Sequence, residues 1–212
     1  MTRTIETPKG PVSALLEGPE GGPLLVLAHG AGNDMRTPLF DGLAQGLASR
    51  GVATLRFNFP YKEQGRRAPD PERTLRDAWL AAFEHAAALS DVVWVGGKSL
   101  GGRIASLVVT EGLAAAGIVF VGYPLHPPGK PERIRDAHLP GIEVPMLFLQ
   151  GTKDPFARWE LLEPLVERLP DATLHPVDGG DHSFRVRGQP KDDAATGRAL
   201  GEVAGDFIRE RS

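Results

Sequence analysis

One serine of this chain stands where its hydroxyl would act as a nucleophile. Ser99 is the centre of Gly-Lys-Ser-Leu-Gly, residues 97 to 101, directly after the apolar run Val92 to Gly96. A G-x-S-x-G sequence between a strand and a helix is typical of a nucleophile elbow, a turn so tight that it needs small residues on both sides of the serine. The spacing predicts that Ser99 attacks a carbonyl and that the Leu100 amide stabilises the oxyanion.

A phosphate-binding loop and a chance match fit these residues less well. A phosphate-binding loop ending in Gly-Lys-Ser needs a glycine five residues before its Gly-Lys pair, and Val92 occupies that position. A chance match is conceivable in a chain with 26 glycines, but the strand before the motif and the helix after it favour the elbow.

A serine nucleophile needs a base, and the base needs a carboxylate to orient it. His182 is the predicted base, because it follows the last apolar run and precedes the terminal helix. Asp154 is the predicted acid, because it ends a strand and lies between serine and histidine in chain order. It could also cap a helix beginning at Pro155, and both roles could hold. Asp178 and Asp181 stay as alternative acids.

The first core strand ends in His29-Gly-Ala-Gly32, and small residues after a His-Gly pair are a usual source of the second oxyanion amide. Ala31 is the predicted donor. A plain glycine turn would also account for these residues. A dinucleotide-binding loop is excluded because Met35 stands where its third glycine would be.

Five residues are predicted to line the substrate cleft: His29, Gly30, Tyr61, Arg66 and His126. The basic residues after Tyr61 hint at an anionic substrate, although exposed basic loops are ordinary. His126 borders the cleft only if its proline-rich loop turns towards the serine, and a rigid surface loop is the alternative. The other histidines lie in less suitable places: His85 in a helix, His138 in a charged segment and His175 in a strand.

Alternating strands and helices must position these side chains. Six apolar runs recur along the chain: Pro23 to His29, Val52 to Phe59, Val92 to Gly96, Ile118 to Gly122, Val144 to Gln150 and Ala172 to Val177. Most are continuously apolar, as in strands covered on both faces. We therefore predict an α/β fold, a doubly wound and mostly parallel sheet with helices on both faces. An antiparallel hairpin around Ile5 and Val12 to Leu16 should precede it.

Helices are predicted between these runs from proline at the first turn and from apolar residues at helical spacing. One should begin after Thr37, one at Asp70-Pro71 and one at Asp154-Pro155, and a fourth should end the chain. The segment between Gly122 and Val144 has about twenty residues, which is too few for a lid domain.

Composition limits the remaining possibilities. At 212 residues and 41% hydrophobic, the chain suits one domain spanning residues 1–212. The net charge of −3 and the absence of a long basic run argue against nucleic acid and anionic membranes as partners. The absence of cysteine excludes disulfides, a thiol nucleophile and thiolate metal sites. We expect a soluble, cytoplasmic protein that needs no metal or organic cofactor; its oligomeric state is left open.

The motif at residues 97 to 103 resembles a known family when it is combined with His29-Gly-Ala-Gly32, Arg56-Phe-Asn-Phe-Pro-Tyr61 and Gly180-Asp-His-Ser-Phe184. Together they look like the small α/β hydrolases related to a testis-expressed protein and to a subunit of the nonspecific-lethal chromatin complex. The resemblance covers nearly the whole chain and is similar in outline to dienelactone hydrolase-like enzymes, without their cysteine nucleophile.

The resemblance implies an α/β-hydrolase fold and a triad of Ser99, Asp154 and His182. It also implies Leu100 and Ala31 as oxyanion donors. Lys98 and Arg103 match the family pattern too, and we expect them to form ion pairs that hold the elbow.

The residues and the resemblance together predict a serine hydrolase that cleaves small acyl esters through an acyl-enzyme. The alternative is a binding or scaffold protein that has kept the fold without turnover. The enzyme is favoured because every chemical group that the reaction needs is present in the chain.

Overall fold

A computed structural model describes all 212 residues, and its centre is one eight-stranded sheet. The strands are β1 (Thr2–Ile5), β2 (Val12–Glu17), β3 (Leu24–Ala28), β4 (Ala53–Phe57), β5 (Val93–Lys98), β6 (Ile118–Val121), β7 (Met146–Gly151) and β8 (Ala172–Val177). Their order in the sheet is β1-β2-β4-β3-β5-β6-β7-β8. β1 and β2 form an antiparallel hairpin, β2 pairs antiparallel with β4, and all pairs from β4 to β8 are parallel. The predicted α/β fold is confirmed.

Six helices flank the sheet: α1 (Pro38–Ser49), α2 (Pro60–Glu63), α3 (Glu72–Ala87), α4 (Leu100–Thr110), α5 (Trp159–Val166) and α6 (Asp193–Arg209). Buried residues of α1 and α6 form one hydrophobic cluster with one face of the sheet. Those of α3, α4 and α5 form the larger cluster on the other face. The continuously apolar strands β3 to β7 are buried between these layers, as their composition predicts.

Two helix starts differ from the sequence prediction. Asp154 does not begin a helix, because the following residues form a turn and α5 starts only at Trp159. Its carboxylate is held by other groups, described below. Asp70 does not cap α3, which begins after Pro71 with no side-chain cap, because the Asp70 carboxylate pairs with Arg66 instead. The first helix does begin at Pro38, with the Thr37 hydroxyl accepting from the Phe40 amide.

The carboxyl edge of the parallel strands is not covered by any inserted domain. Between β6 and β7 the chain makes only loops and a single 3₁₀ turn, Leu139–Gly141. No helix combines the length and the apolar character that a bilayer crossing requires. Loops at this edge bring together the residues discussed next.

Candidate active site

Ser99 occupies a sharp turn between β5 and α4. Its backbone has φ 49° and ψ −110°, a conformation that costs energy in a residue other than glycine. A Cβ atom on Gly97 would lie 2.4 Å from the carbonyl oxygen of Ala28, and one on Gly101 would lie 2.1 Å from the same atom. Only glycine allows β5 and α4 to approach β3 this closely, so the turn that exposes the serine depends on both glycines.

A chain of two hydrogen bonds connects the serine to a buried carboxylate. The Oγ atom of Ser99 lies 2.9 Å from Nε2 of His182. Nδ1 of the same ring lies 2.7 Å from Oδ2 of Asp154. If Nδ1 carries the proton, Nε2 is free to accept the proton of the serine hydroxyl. The two histidine nitrogens therefore have the directions that general-base activation of Ser99 requires.

The Asp154 carboxylate is fixed from three sides. Its side chain is completely buried, just after β7. The amide nitrogen Nε2 of Gln150 donates to Oδ2 at 2.6 Å, and the Phe156 backbone amide donates to Oδ1 at 2.7 Å. These hydrogen bonds fix the orientation of the carboxylate relative to the imidazole. The sequence interpretation overlooked Gln150, although one polar residue at the end of a buried strand is a usable signal.

The two alternative acids have other partners. Asp181 uses Oδ1 to accept from the backbone amides of Ser183 and Arg185, at 2.8 and 3.0 Å. Asp178 contacts the Thr152 hydroxyl. Neither carboxylate makes a hydrogen bond to His182, so of the three predicted acids only Asp154 contacts the imidazole.

Burial keeps the imidazole of His182 neutral. Desolvation lowers its pKa below the usual 6.5, against the opposing hydrogen bond to Asp154, and the positive charge of Lys98 lowers it further. The ring of Phe156 stacks on the imidazole, with 4.2 Å between centroids, and excludes water from that face. The sequence did not predict this role for Phe156, because no local pattern distinguishes an aromatic residue that stacks on an imidazole from one that only packs in the core.

Two backbone amides near the serine are free. The Ala31 amide donates no hydrogen bond in the structure. Leu100 is the first residue of α4, where backbone amides have no acceptor within the helix. The neighbouring Gly30 lies against the serine, because a Cβ there would be 3.7 Å from that of Ser99. The loop after β3 and the start of α4 therefore meet at the nucleophile.

A polar cleft of about 240 Å³ opens next to this loop on the side of α1. His29, Gly30 and Lys98 contribute to its wall. The sequence interpretation missed the other lining residues, which are Asn33, Asp34, Thr37, Pro38, Leu39, Phe40, Ser183, Arg185 and Asp193. Several of the polar ones closely follow Ala31 or His182 in the sequence, and this proximity was the available signal.

Residues 22–207 match a protein family described as the alpha/beta hydrolase domain. The chain belongs to this family. The match spans nearly the whole chain, including the elbow, the carboxylate after β7 and the histidine after β8. The α/β-hydrolase part of the resemblance is thereby confirmed.

Solved α/β hydrolases share the fold over their full length. Est1E from Butyrivibrio proteoclasticus has a TM-score of 0.76 at 17% identity, covering 99% of this chain and 98% of that one. A serine hydrolase without a lid from Xanthomonas campestris has a TM-score of 0.76 at 20% identity, covering 99% and 94%. Dienelactone hydrolase from Anabaena variabilis has 0.76 at 19% identity, covering 100% and 97%. At these identities the likeness concerns the fold.

Two histidines predicted to contact substrate have both ring nitrogens occupied. His29 Nδ1 lies 2.9 Å from the Gly30 carbonyl, and its Nε2 accepts from the Phe59 amide at 3.1 Å. His126 Nδ1 lies 2.9 Å from the Pro127 carbonyl, and its Nε2 accepts from the Arg158 amide at 3.0 Å.

Each of these two histidines is only 1% exposed. Burial lowers the pKa of His29 to about 4, so that ring is neutral. Both histidines therefore tie neighbouring loops together through their ring nitrogens, and His29 also contributes to the wall of the cleft.

Tyr61 and Arg66 have other contacts. Tyr61 is fully buried among His29 and Phe59, where burial raises its pKa. Arg66 lies on the surface and pairs with Asp70. Neither residue is among those that line the cleft beside the serine loop.

A second contact between serine and histidine exists in this α/β hydrolase, and its chemistry is different. Ser106 Oγ lies 2.7 Å from His138 Nε2, but the hydroxyl donates its proton to the Arg103 carbonyl at 2.7 Å. The serine therefore accepts from the imidazole, which is the wrong direction for activation. No group of three or more His, Asp or Glu residues is placed to hold a metal ion.

The expected ion pairs at the elbow form for only one of the two basic residues. Arg103 pairs with Glu72 at 3.2 Å, as predicted. Lys98 forms no ion pair, and its Nζ atom has no hydrogen-bond partner at all. The prediction for Lys98 is wrong because its side chain runs into the interior, where no carboxylate pairs with Nζ.

Proposed function

We propose that this α/β hydrolase is an esterase-like serine hydrolase that acts through an acyl-enzyme. The observation that carries the proposal is the continuous hydrogen-bonded chain from Ser99 through His182 to the buried carboxylate of Asp154. The substrate is a small-molecule ester, since the site is open at the sheet edge and no inserted domain covers it. Within the family, the motifs at residues 97 to 103 and 180 to 184 support the narrower kinship with the testis-expressed and nonspecific-lethal-complex-related hydrolases.

In the first half of the reaction, Ser99 Oγ attacks the ester carbonyl while His182 Nε2 takes its proton. Asp154 holds Nδ1 protonated and stabilises the imidazolium as it forms. The amides of Ala31 and Leu100 donate to the oxyanion of the tetrahedral intermediate. His182 then passes the proton to the leaving alcohol, and the acyl group remains on the serine.

In the second half, water takes the place of the alcohol. His182 removes a proton from the water as it attacks the acyl-enzyme, and the same two amides stabilise the second oxyanion. Collapse of this intermediate returns the proton to Ser99 and releases the acid. Every step uses side chains and backbone amides of the chain itself.

Labelling with a fluorophosphonate probe tests the nucleophile. Intact-mass spectrometry should show one phosphonyl adduct on the wild type and none on Ser99→Ala. Ser106→Ala is the matched control, because it removes the other serine that contacts a histidine and should leave the adduct intact. Ser99→Ala and His182→Ala should each lower kcat by about 10⁴ to 10⁶-fold, and the double variant little further, since the groups act as a unit.

The same experiment discriminates the scaffold alternative. A folded wild type that takes no adduct would contradict the hydrolase proposal and support a binding protein. An adduct that persists in Ser99→Ala but is lost in Ser106→Ala would move the nucleophile to the other serine.

A further inference from the structure

Lys98 combines deep burial with a complete lack of partners for its charged atom. The residue is 9% exposed, and Nζ itself is inaccessible and makes no hydrogen bond. Burial lowers the pKa of Lys98 to about 8, against the attraction of Asp154 and Asp181. The group therefore still carries its charge at neutral pH. Burying an unpaired ammonium is costly, so packing alone does not account for a lysine at this position.

The side chain of Lys98 extends from beside Gly30, after β3, to beside Gly122, after β6. Its Cγ atom lies 3.4 Å from where a Cβ on Gly30 would be. At its far end, a Cβ on Gly122 would lie 3.0 Å from Nζ and 3.7 Å from Cε1 of His182. The ammonium group and the edge of the imidazole thus face the same point beside Gly122. Glycine at both positions leaves the passage open for a long side chain.

We propose that Lys98 is a positioning residue whose buried positive charge keeps the imidazole of His182 in the free-base form that can accept the Ser99 proton. This inference rests on the proposed function and identifies a group that sets the pH range over which that site is active.

The charges around His182 show why such a group is needed. Asp154 follows β7 and Asp181 lies beside the histidine in its own loop, and both carboxylates favour an imidazolium. The third charged group acting on the ring is Lys98, at the end of β5, and it opposes both. From the loop after β3, His29 contributes no charge, since burial holds its pKa at about 4. Without Lys98, burial alone would oppose the two negative charges, and the pKa of His182 would rise towards the imidazolium form, which cannot take a proton from serine.

Aromatic packing helps to accommodate the charge. The Nζ atom lies over the ring of Phe184, 5.7 Å from its centroid, which is a favourable place for a cation. Phe184 itself has a positive φ of 62°, a backbone conformation that is uncommon for a residue other than glycine. This contact compensates partly for lost hydration without neutralising the ammonium, and the field at the imidazole is preserved.

Nuclear magnetic resonance of the imidazole protons measures the effect directly. In Lys98→Met the His182 titration midpoint should move to higher pH by about one unit, the order expected on losing a nearby opposing charge. The acid limb of kcat/KM should move by the same amount. Lys98→Arg, which keeps the charge, should restore the wild-type midpoint. Lys153→Met is the matched control, because Lys153 is a lysine next to Asp154 in the sequence that is not buried, and it should leave the midpoint unchanged.

An unchanged midpoint in folded Lys98→Met would overturn the proposal, because a purely structural lysine would not move the titration. If Lys98→Met does not fold, the wild type decides: the ¹³Cε resonance of Lys98 should show a step at the His182 midpoint, and its absence would count against the coupling. Both resonance measurements are independent of turnover. A shifted midpoint in a protein that hydrolyses no ester would therefore contradict the proposed function alone.

Discussion

At the scale of single residues, Asp154 illustrates how little freedom the site leaves. Its carboxylate accepts from the side chain of Gln150, from the Phe156 amide and from His182. Each of the three partners directs a donor at a carboxylate oxygen. An ionised carboxylate can accept hydrogen bonds but cannot donate one. Any group that adds a donor at this position must disturb at least one of them.

Asp154→Asn should therefore lower kcat by about 10⁴-fold while the protein stays folded. The asparagine oxygen can still accept from Phe156, but its NH₂ group would face the donors of Gln150 and His182. The imidazole then favours protonation at Nε2, and this tautomer cannot take the proton of Ser99. Hydrolysis of p-nitrophenyl acetate and thermal melting by circular dichroism measure the two effects.

Asp181→Asn is the control for this prediction, because its Oδ1 accepts only from backbone amides and an amide oxygen can do the same. It should keep activity within a few-fold of the wild type. Full activity in Asp154→Asn together with a large loss in Asp181→Asn would reassign the acid.

The sequence predicted the residues of the hydrogen-bonded chain because their order and their positions at strand ends are local properties. It did not reveal that both ring nitrogens of His126 and of His29 have partners within the chain. The Nε2 partners are backbone amides 32 and 30 residues further along the chain, and no local pattern reveals such a contact. The same holds for Lys98, whose buried side chain lies beside glycines in the loops after two other strands.

At the scale of elements, the contact between α1 and α6 is closer than side chains would allow. A Cβ on Gly42 would lie 2.0 Å from the Ala194 carbonyl oxygen, and one on Gly46 would lie 2.2 Å from that of Arg198. On the other helix, a Cβ on Gly201 would lie 2.3 Å from the carbonyl oxygen of a residue in α1. The two backbones touch, and they fix the loops that precede both helices, which line the cleft beside the serine.

Gly46→Ala should lower the free energy of unfolding by about 2 to 3 kcal/mol. Alanine gains about 1 kcal/mol over glycine in a helix, but forcing a methyl group into backbone contact costs more. Urea denaturation followed by tryptophan fluorescence measures the difference.

Gly141→Ala is the comparison for this experiment, since a Cβ there meets only the Thr110 methyl group at 3.7 Å. It should change stability by less than about 0.5 kcal/mol, as ordinary surface substitutions do. A Gly46→Ala protein as stable as the wild type, or more stable, would contradict the close helix contact.

Most helices and strands could be predicted because the spacing of apolar residues in each of them is a local property of the sequence. The start of α5 could not, because Asp-Pro suits a helix start and a turn equally well, and Asp154 is held in the turn by Gln150 and His182. The glycine spacing of α1 and α6 is visible in the sequence, but which helices meet is a tertiary fact.

At the scale of the whole molecule, the open carboxyl edge of the sheet determines which substrates fit. The chain between β6 and β7 contributes no lid, and the cleft next to the serine loop is small and lined mainly by polar residues. Leu39 and Phe40 are the only hydrophobic residues in its wall, so we expect most of a long acyl chain to stay in water, where each CH₂ forgoes about 0.8 kcal/mol of binding. We therefore expect the site to prefer short acyl groups.

A series of p-nitrophenyl esters from acetate to laurate tests this preference. We expect kcat/KM to be highest for the short, water-soluble members, with no increase when the ester concentration passes its micellar threshold. Ser99→Ala, measured in parallel, removes the background of non-enzymatic hydrolysis. A steady rise of kcat/KM up to laurate would show that an apolar acyl site exists after all.

The position of β8 at the edge of the sheet affects how easily the contact between Ser99 and His182 opens. β8 is the last strand and has only β7 as a neighbour, and most of its side chains are partly exposed. His182 lies in the loop that follows it, 83 residues from the serine with which it forms a hydrogen bond. Strands at the margin of a sheet open locally at a lower free energy than the whole domain unfolds. Each such opening would separate His182 from Ser99, which stays beside its central strand, so we expect the hydrogen bond between them to break more readily than the domain unfolds.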